Sequence, residues 1–158
     1  MKTRVLKNKP NDTNFILDDY TLYNLNRTSA TYTAKMSAVL KPLSIDQPGW
    51  RILMILGDKN PSTVSELARR SATMLSTITR MVIRMEDSGF LNRSICPQDN
   101  RVTQVHITDK GQHMLDSLRG IATRIYERSL DGLSQAQIDQ FTKTLKHIRA
   151  NLTDEPNY

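Results

Sequence analysis

The sequence predicts a mainly α-helical chain with a small β-hairpin wing: a winged helix-turn-helix flanked by N- and C-terminal dimerisation helices. Three observations support this fold class. Thr63–Arg70 and Met74–Ser88 have helical periodicity and are separated by a short turn at Ser71–Thr73. Asn92–Ile107 is predicted to form a hairpin with a polar tip at Pro97–Arg101, because Thr103, Val105 and Ile107 alternate with Gln104 and His106 in its second strand. Narrow apolar seams at helical spacing occur both before and after this central part of the chain.

The composition favours one domain with an acidic partner. The chain has 158 residues and a net charge of +6, which suits nucleic acid, although a basic protein without such a partner has the same balance. Cys96 is the only cysteine, so no intrachain disulfide is possible and a reducing cytoplasm is expected. No apolar run approaches the about 20 residues of a membrane span. Met1–Pro10 lacks the apolar core of a signal peptide.

No cofactor, metal or catalytic site is expected. The three histidines, His106, His113 and His147, are too scattered for a zinc site, and no clustered cysteines or carboxylates accompany them. The sequence also lacks a Ser/His/Asp signature, a phosphate-binding loop and a paired acid/base stretch. We therefore do not expect an enzyme.

The first long helix is predicted over Asp18–Lys41 and ends at Pro42. Its apolar seam follows a spacing of three and four residues through Leu22, Leu25, Ser29, Tyr32, Met36 and Val39. Such a helix needs a partner, either another helix of this chain or one of a second subunit. The next helix has Asp46 as its N-cap and is nearly all apolar over Trp50–Leu56, which predicts that it is buried on every side.

The helix-turn-helix begins with a capping box, in which Thr63 accepts from a backbone N–H and the Glu66 carboxylate reaches back. The second helix has an apolar stripe composed of Met74, Ile78, Met81, Val82 and Met85. Its opposite side carries hydroxyl and guanidinium groups, the side chains that bond phosphates and base edges. The candidate DNA contacts on this helix are Thr73, Ser76, Thr77, Arg80 and Arg84. A solvated amphipathic helix has the same pattern, and the following wing favours DNA binding.

The wing supplies three further candidates. Arg101 at its tip suits a narrow minor groove, whose negative potential attracts a guanidinium. An acid at this place would repel phosphate, so we expect Asp99 to hold Arg101 or Arg93 in an ion pair, unless it is only a turn residue.

Two more helices complete the chain. Thr108 caps one that runs to about Leu130, and Ser134 and Gln137 form a capping box for the last one. The last seam consists of Ile138, Phe141, Leu145, Ile148 and Leu152. We expect one chain over residues 1–158, with a winged-helix DNA-binding lobe over 46–108 and a dimerisation region over 14–45 and 109–153. An intrachain bundle of the same helices is the alternative.

The motifs Ser65–Arg70, Ser76–Glu86, Gly89–Arg93 and Asp99–Arg101 followed by His106–Gly111 resemble the MarR family of bacterial transcriptional regulators. The resemblance extends from about Leu22 to Leu152 and implies a homodimer that binds a palindromic DNA operator, most often as a repressor released by a small ligand. It places Ser76, Thr77 and Arg80 in the major groove and Arg101, oriented by Asp99, in the minor groove. Arg93 would support the wing or contact phosphate.

The sequence departs from the family pattern in the helix-turn-helix. Ser71 and Ala72 occupy a turn that usually carries an apolar residue and then glycine. Met74 and Leu75 replace residues that are usually polar, so we expect the first turn of the second helix to be partly packed.

The resemblance also implies a ligand site between the dimerisation helices and the DNA-binding lobe. Its expected lining is Tyr32, Met36, Ser37, Trp50, Arg51 and Met54. Aromatic and thioether groups beside a cation and a hydroxyl suit an aromatic carboxylate. The same residues are also ordinary core and surface residues, and core is the favoured interpretation for Trp50 and Met54.

Two other functions fit the sequence. A winged-helix protein-interaction module would have the same fold without binding DNA. A redox-sensing regulator would use Cys96, although a bystander thiol is the favoured interpretation of a lone cysteine beside the wing tip.

Overall fold

The computed structural model describes residues 7–153. The helices and strands follow in the order α1 (Thr21–Leu40), α2 (Gln47–Asp58), β1 (Ser62–Thr63), α3 (Val64–Ser71), α4 (Leu75–Asp87), β2 (Leu91–Cys96), β3 (Asp99–Ile107), α5 (Asp109–Ser129) and α6 (Gln135–Thr153). The chain divides into two compact units, the first ending at Ile121 and the second beginning at Ala122. Among the helices of residues 7–153, none combines the length and apolar character needed to cross a membrane. The order of the helices and strands confirms the predicted mainly helical fold with a small β-hairpin wing.

The first long helix is shorter than predicted, because a separate 3-10 turn lies at each of its ends. A 3-10 turn at Leu17–Asp19 precedes α1, and a second one at Lys41–Leu43, which contains Pro42, follows it. Of the α1 residues, only Met36 and Leu40 are buried. In the single chain, Leu22, Ser29 and Tyr32 of the predicted seam are exposed, and Leu25 is half-buried.

Helix α2 forms the centre of the core. The Asp46 carboxylate accepts a hydrogen bond from the Gly49 backbone N–H at 2.9 Å, which confirms the predicted N-cap. Ile52 and Leu53 are fully buried, but Met54 is 41% exposed. The prediction of a helix buried on every side was therefore wrong, because Arg51 and Met54 lie on a face that reaches solvent.

The core joins five helices and two strands. The largest fully buried side chains are those of Met36, Leu40, Ile52, Leu53, Leu56, Leu67, Ile78, Val82, Leu91, Val105, Leu115 and Leu118. Burial of this apolar surface is the main stabilising contribution to the fold.

The capping box before α3 is only half formed. Thr63 Oγ1 accepts from the Glu66 N–H at 3.1 Å, as predicted. The Glu66 carboxylate does not reach back, because it accepts two hydrogen bonds from Lys59 Nζ, at 3.0 and 3.1 Å. At the other end of α3, Ala72 takes the left-handed conformation with φ of 52°. An alanine thus occupies a position that favours glycine.

The wing is the β2–β3 hairpin (Leu91–Ile107). It belongs to a three-stranded antiparallel sheet of order β1-β3-β2. Ser62 of β1 pairs with Val105, and Leu91 of β2 pairs with Ile107. The sequence missed β1, because two residues are too short for any periodicity to appear. Gly89 has φ of 75° and ends α4 in the predicted left-handed conformation.

Helix α5 begins at the Thr108 cap, whose Oγ1 accepts from the Gly111 N–H at 3.1 Å. A Cβ atom on Gly111 would lie 2.1 Å from the Phe90 carbonyl oxygen. This close approach of two backbones explains why glycine occupies the first turn of the helix.

In the second unit, α6 begins at the predicted capping box. The Ser134 N–H donates to Gln137 Oε1 at 2.9 Å, and the Gln137 N–H donates to Ser134 Oγ at 3.4 Å. No residue of α6 is buried in the single chain. Its apolar seam is only partly covered, because Phe141 and Leu152 are exposed.

Candidate nucleic-acid interface

We define the outer face of α4 by four of its exposed residues, Ser76, Thr79, Arg80 and Ile83. The opposite stripe, Ile78, Met81, Val82 and Met85, is buried and fixes the rotation of the helix. In the described part of the chain, no hydrogen bond or ion pair engages the side chains of Ser76 and Arg80. One hydroxyl and one guanidinium are thus available to a ligand on this face.

Two predicted contact residues lie at the edge of the outer face. Thr77 is half-buried in the first turn of α4. Thr73 is also half-buried, and its hydroxyl donates to the Ser71 carbonyl at 3.2 Å. Both hydroxyls are near the helix N-terminus, where unpaired backbone N–H groups favour anions.

The expected packing of the first turn was wrong. Met74 is 75% exposed and Leu75 is 52% exposed. Met74 is the N-cap residue with φ of −59° and ψ of 139°, so it precedes the helix and does not continue the apolar stripe. Helical spacing counted from an N-cap residue gives no reliable direction for its side chain.

At the wing, Asp99 holds Arg101. The Asp99 carboxylate accepts from the Arg101 N–H at 3.0 Å, from Nε at 3.1 Å and from Nη2 at 3.2 Å. The side-chain hydrogen bond from Arg101 is the largest of the causes that lower the pKa of Asp99. The Arg101 side chain is 90% exposed. Asp99 therefore pairs with Arg101 and not with Arg93. The Arg101 side chain extends into solvent, and these hydrogen bonds hold its orientation.

Arg93 has a different partner, Glu86, in the last turn of α4. Glu86 accepts from the Arg93 N–H at 2.8 Å and from Arg93 Nε at 2.6 Å. The Arg93 side-chain hydrogen bond is the largest cause of the lowered pKa of Glu86. The pair ties α4 to the first strand of the wing. Glu86 was missed as a functional residue, although an acid on the helix seven residues before Arg93 was a usable signal.

A groove of about 240 Å³ separates the first half of α4 from the wing. Its lining includes Thr63, Leu75, Thr79, Arg93, Arg101 and Thr103. Thr79 of the outer face and the wing arginine Arg101 therefore line the same groove.

Arg84, unlike Arg80, has an ion-pair partner among the residues that the structure describes. Its Nη2 lies 2.5 Å from Asp46 Oδ2, the same carboxylate that caps α2. This pair ties the C-terminal part of α4 to the start of α2.

The residues predicted to bind an effector do not share one cavity. Met36 is in the core with 1% exposure, and Tyr32 is 45% exposed on α1. Trp50, Arg51 and Met54 line a small cavity of about 210 Å³. Of these three, only Trp50 is a core residue, so the expectation that Met54 is buried was wrong.

Ser37 lines a different and larger cavity, of about 480 Å³. Its other residues include Lys41, Ser44, Arg84, Met85 and Phe90. This cavity contains the groups expected of an effector site: an aromatic ring and a thioether beside a cation and hydroxyls. Except for Ser37, they belong to residues other than those predicted from the sequence.

Cys96 is half-buried in the wing. Its Sγ lies 3.0 Å from Gln98 Oε1 and 3.6 Å from Gln104 Nε2. Among residues 7–153, no group of three or more histidine, cysteine or acidic side chains is placed to hold a metal ion.

Comparison with known proteins gives a consistent result. The MarR family model matches residues 45–103. Over 143 residues the chain is 34% identical to the HTH-type transcriptional repressor IacR of Pseudomonas putida, and the match covers 90% of this chain and 86% of IacR. A MarR-family regulator from Silicibacter pomeroyi has a TM-score of 0.80 at 23% identity, over 90% of this chain and 96% of that chain. Bordetella bronchiseptica BpsR, whose DNA binding is regulated by 6-hydroxynicotinic acid, has a TM-score of 0.76 at 17% identity, over 90% of this chain and 99% of that chain.

Proposed function

Since the chain belongs to the MarR family of transcriptional regulators, we propose that it is a cytoplasmic, homodimeric repressor that binds a palindromic operator and is released by a small effector. The observation that carries this proposal is the surface on which the outer face of α4 lies beside Arg101. Free hydroxyl and guanidinium groups on an exposed helix, next to a basic hairpin, match the two grooves of duplex DNA.

The groups have different tasks in this proposal. Ser76 and Arg80 enter the major groove, where an arginine bonds guanine through both its O6 and N7 atoms. Thr73 and Thr77 lie at the helix N-terminus and bond phosphate. Arg101, oriented by Asp99, enters the minor groove.

Arg93 supports the wing through Glu86. In this proposal Arg84 pairs with Asp46 and does not contact DNA. This revises the sequence-based prediction that Arg84 is a DNA contact.

The dimer is proposed from the apolar surface that the single chain leaves uncovered. Phe141 is 49% exposed and Leu152 66% exposed on α6, and Tyr126 is 56% exposed on α5. On α1, Leu22 and Tyr32 of the seam are exposed as well. A dimerisation region over residues 14–45 and 109–153 would cover these surfaces, leaving residues 46–108 as the DNA-binding lobe. Two-fold symmetry would place the two copies of α4 roughly 34 Å apart, one turn of DNA.

DNA binding is tested with fragments selected from the source genome, using fluorescence anisotropy over a series of salt concentrations. Affinity is expected to fall steeply with salt, because lysines and arginines displace counterions. Arg80→Ala should cost about 1–3 kcal/mol at a specific base, and Arg101→Ala should weaken binding at the flanks. The control is Arg128→Ala, which removes an exposed arginine of α5 outside the lobe. Absence of salt-dependent duplex binding would instead favour the protein-interaction module.

The effector site is proposed in the cavity of about 480 Å³. Lys41 would bond a carboxylate, and Phe90 and Met85 would contact an aromatic ring. The regulation of BpsR by 6-hydroxynicotinic acid, itself an aromatic acid, supports this class of ligand.

Thermal-shift screening with aromatic acids, followed by a DNA-release assay, tests the site. Lys41→Ala should weaken binding of a hit by about tenfold or more, because it removes a hydrogen bond to a charged group. Lys35→Ala, on the preceding helix α1 and outside the cavity, should leave the affinity for the hit unchanged. If no acid stabilised the protein or released the DNA, the effector class would be wrong.

The redox alternative is tested with Cys96→Ser. A bystander thiol predicts that this substitution leaves the response of DNA binding to oxidants unchanged. Loss of an oxidant response in the variant would assign the cysteine a sensing role.

A further inference from the structure

Two large apolar side chains are exposed at the start of α4, on an otherwise polar and basic surface. Met74 is 75% exposed and Leu75 is 52% exposed. Single exposed apolar residues are common in proteins and need no explanation. Here, however, two adjacent ones lie at the end of the helix from which helix-turn-helix proteins contact base edges.

The backbone around these side chains is fixed. The Met74 carbonyl accepts from the Thr77 N–H at 3.0 Å and from the Ile78 N–H at 3.1 Å, so the N-cap position is anchored. The Met74 side chain makes no capping hydrogen bond. Leu75 lines the groove between α4 and the wing, which also contains Arg101. Leu75 is thus presented on the side of the wing, and neither side chain is packed into the core.

Two hydroxyl donors near them are already used. The Thr73 hydroxyl donates to the Ser71 carbonyl at 3.2 Å, and the Thr79 hydroxyl donates to the Leu75 carbonyl at 2.9 Å. The Ser76 hydroxyl is free within residues 7–153, but the Met74 and Leu75 side chains themselves present only methyl, methylene and thioether groups to a DNA base. Such groups cannot distinguish bases by hydrogen bonding.

They can, however, recognise one base by shape. Thymine alone carries a methyl group in the major groove, and apolar side chains contact it. We propose that Met74 and Leu75 read thymine methyl groups in the operator and are specificity-determining residues. This proposal rests on the proposed function, in which α4 enters the major groove. The partner is argued from the charge around the pair: Arg101 lines the same groove as Leu75, and Arg80 is exposed on the same helix. Such cationic surroundings suit DNA better than an apolar protein partner.

The experiment replaces each thymine of the operator, one at a time, by deoxyuridine. This removes only the methyl group and leaves base pairing and the hydrogen-bonding edge unchanged. At one or two positions in each half-site, the replacement should weaken binding of the wild type about three- to tenfold, since one apolar group loses its contact. The measurement is fluorescence anisotropy at fixed salt.

Variants then assign the effect. Met74→Ser and Leu75→Ser should each bind the operator with the deoxyuridine penalty reduced or abolished at one position. Both residues are exposed, and thermal melting checks that the variants remain folded. Met74→Leu keeps an apolar side chain and should keep the penalty. Arg80→Ala should bind more weakly but retain the same penalty, because it removes a different contact.

Three results would overturn the proposal. Equal affinity of the wild type for all deoxyuridine operators would show that no methyl group is read. A penalty that persists in both serine variants would assign the reading to other residues. Absence of any binding to the unmodified operator, which is measured first, would overturn the proposed function and this inference with it. A penalty removed by only one variant would assign the reading to that residue and exclude the other.

Discussion

Replacing Glu86 by glutamine tests how α4 and the wing are held together. The carboxylate accepts from the Arg93 N–H at 2.8 Å and from Arg93 Nε at 2.6 Å. Glutamine keeps one oxygen as an acceptor for the backbone N–H, but it removes the charge and the second oxygen. The guanidinium of Arg93 therefore loses its ionic partner, while the fold and the volume of the side chain are preserved.

The size of the effect follows from the exposure of the pair. A hydrogen bond to a charged group contributes about 1.5–3 kcal/mol to stability. The two side chains are 28% and 38% exposed, for Glu86 and Arg93 respectively, so solvent screens the pair and reduces its contribution. We expect Glu86→Gln to lower the free energy of unfolding by about 1 kcal/mol at pH 7. DNA affinity should fall as well, because a loosened wing presents Arg101 in more orientations.

The pH dependence has a definite sign. Arg93 holds the pKa of Glu86 below its ordinary value of 4.5, so the stabilisation is fully present above that value. It is lost as the pH falls through the lower pKa of the folded state, where the carboxyl becomes protonated. The difference in unfolding free energy between wild type and Glu86→Gln should therefore be constant near neutral pH and shrink in acid.

Urea denaturation at neutral and acidic pH measures this difference. Glu127→Gln is the matched control, since Glu127 is an exposed glutamate on α5. The reasoning would be refuted if Glu86→Gln and Glu127→Gln had the same stability at pH 7, or if their difference grew in acid.

Four further substitutions test the fold, each by the free energy of unfolding. Gly111→Ala should cost about 3 kcal/mol or more, because its Cβ would lie 2.1 Å from a backbone oxygen; a neutral effect would contradict that close approach. Leu53→Ala should cost about 2–5 kcal/mol, whereas Met54→Ala, at 41% exposure, should cost less than about 1 kcal/mol. Ala72→Gly should stabilise by about 0.5–1 kcal/mol, since glycine suits the left-handed conformation, and destabilisation would count against this explanation.

The fold was largely predictable because its local signals are strong. Asp46 and Thr63 mark the starts of helices through side chains that accept from backbone N–H groups, a signal contained within four residues. Gly89 marks a helix end by an equally local signal, since glycine readily takes the left-handed conformation there. The errors occurred where tertiary contacts decide. The β1 strand forms because β3 passes beside it, and Met54 is exposed because, within residues 7–153, no other element covers that side of α2.

The residue types of the candidate site could be predicted from the sequence, but several of its side-chain pairings could not. Ser76, Arg80 and Arg101 could be proposed from their types and positions, and the pairing of Asp99 with Arg101 required only a short loop. The pairings of Glu86 with Arg93 and of Arg84 with Asp46 depend on how α4 packs, which the sequence does not encode locally. For the same reason, the cavity residue Phe90 could not be assigned to a pocket from sequence alone.

The most direct test of the central claim is a chemical footprint of the protein on its operator. The account predicts two protected major-groove segments with their centres about one helical turn apart, each flanked by minor-groove protection. With Arg101→Ala, the minor-groove protection should disappear while the major-groove protection remains. A single unpaired protected segment would contradict the two-fold dimer, and unchanged minor-groove protection in the variant would contradict the assignment of the wing.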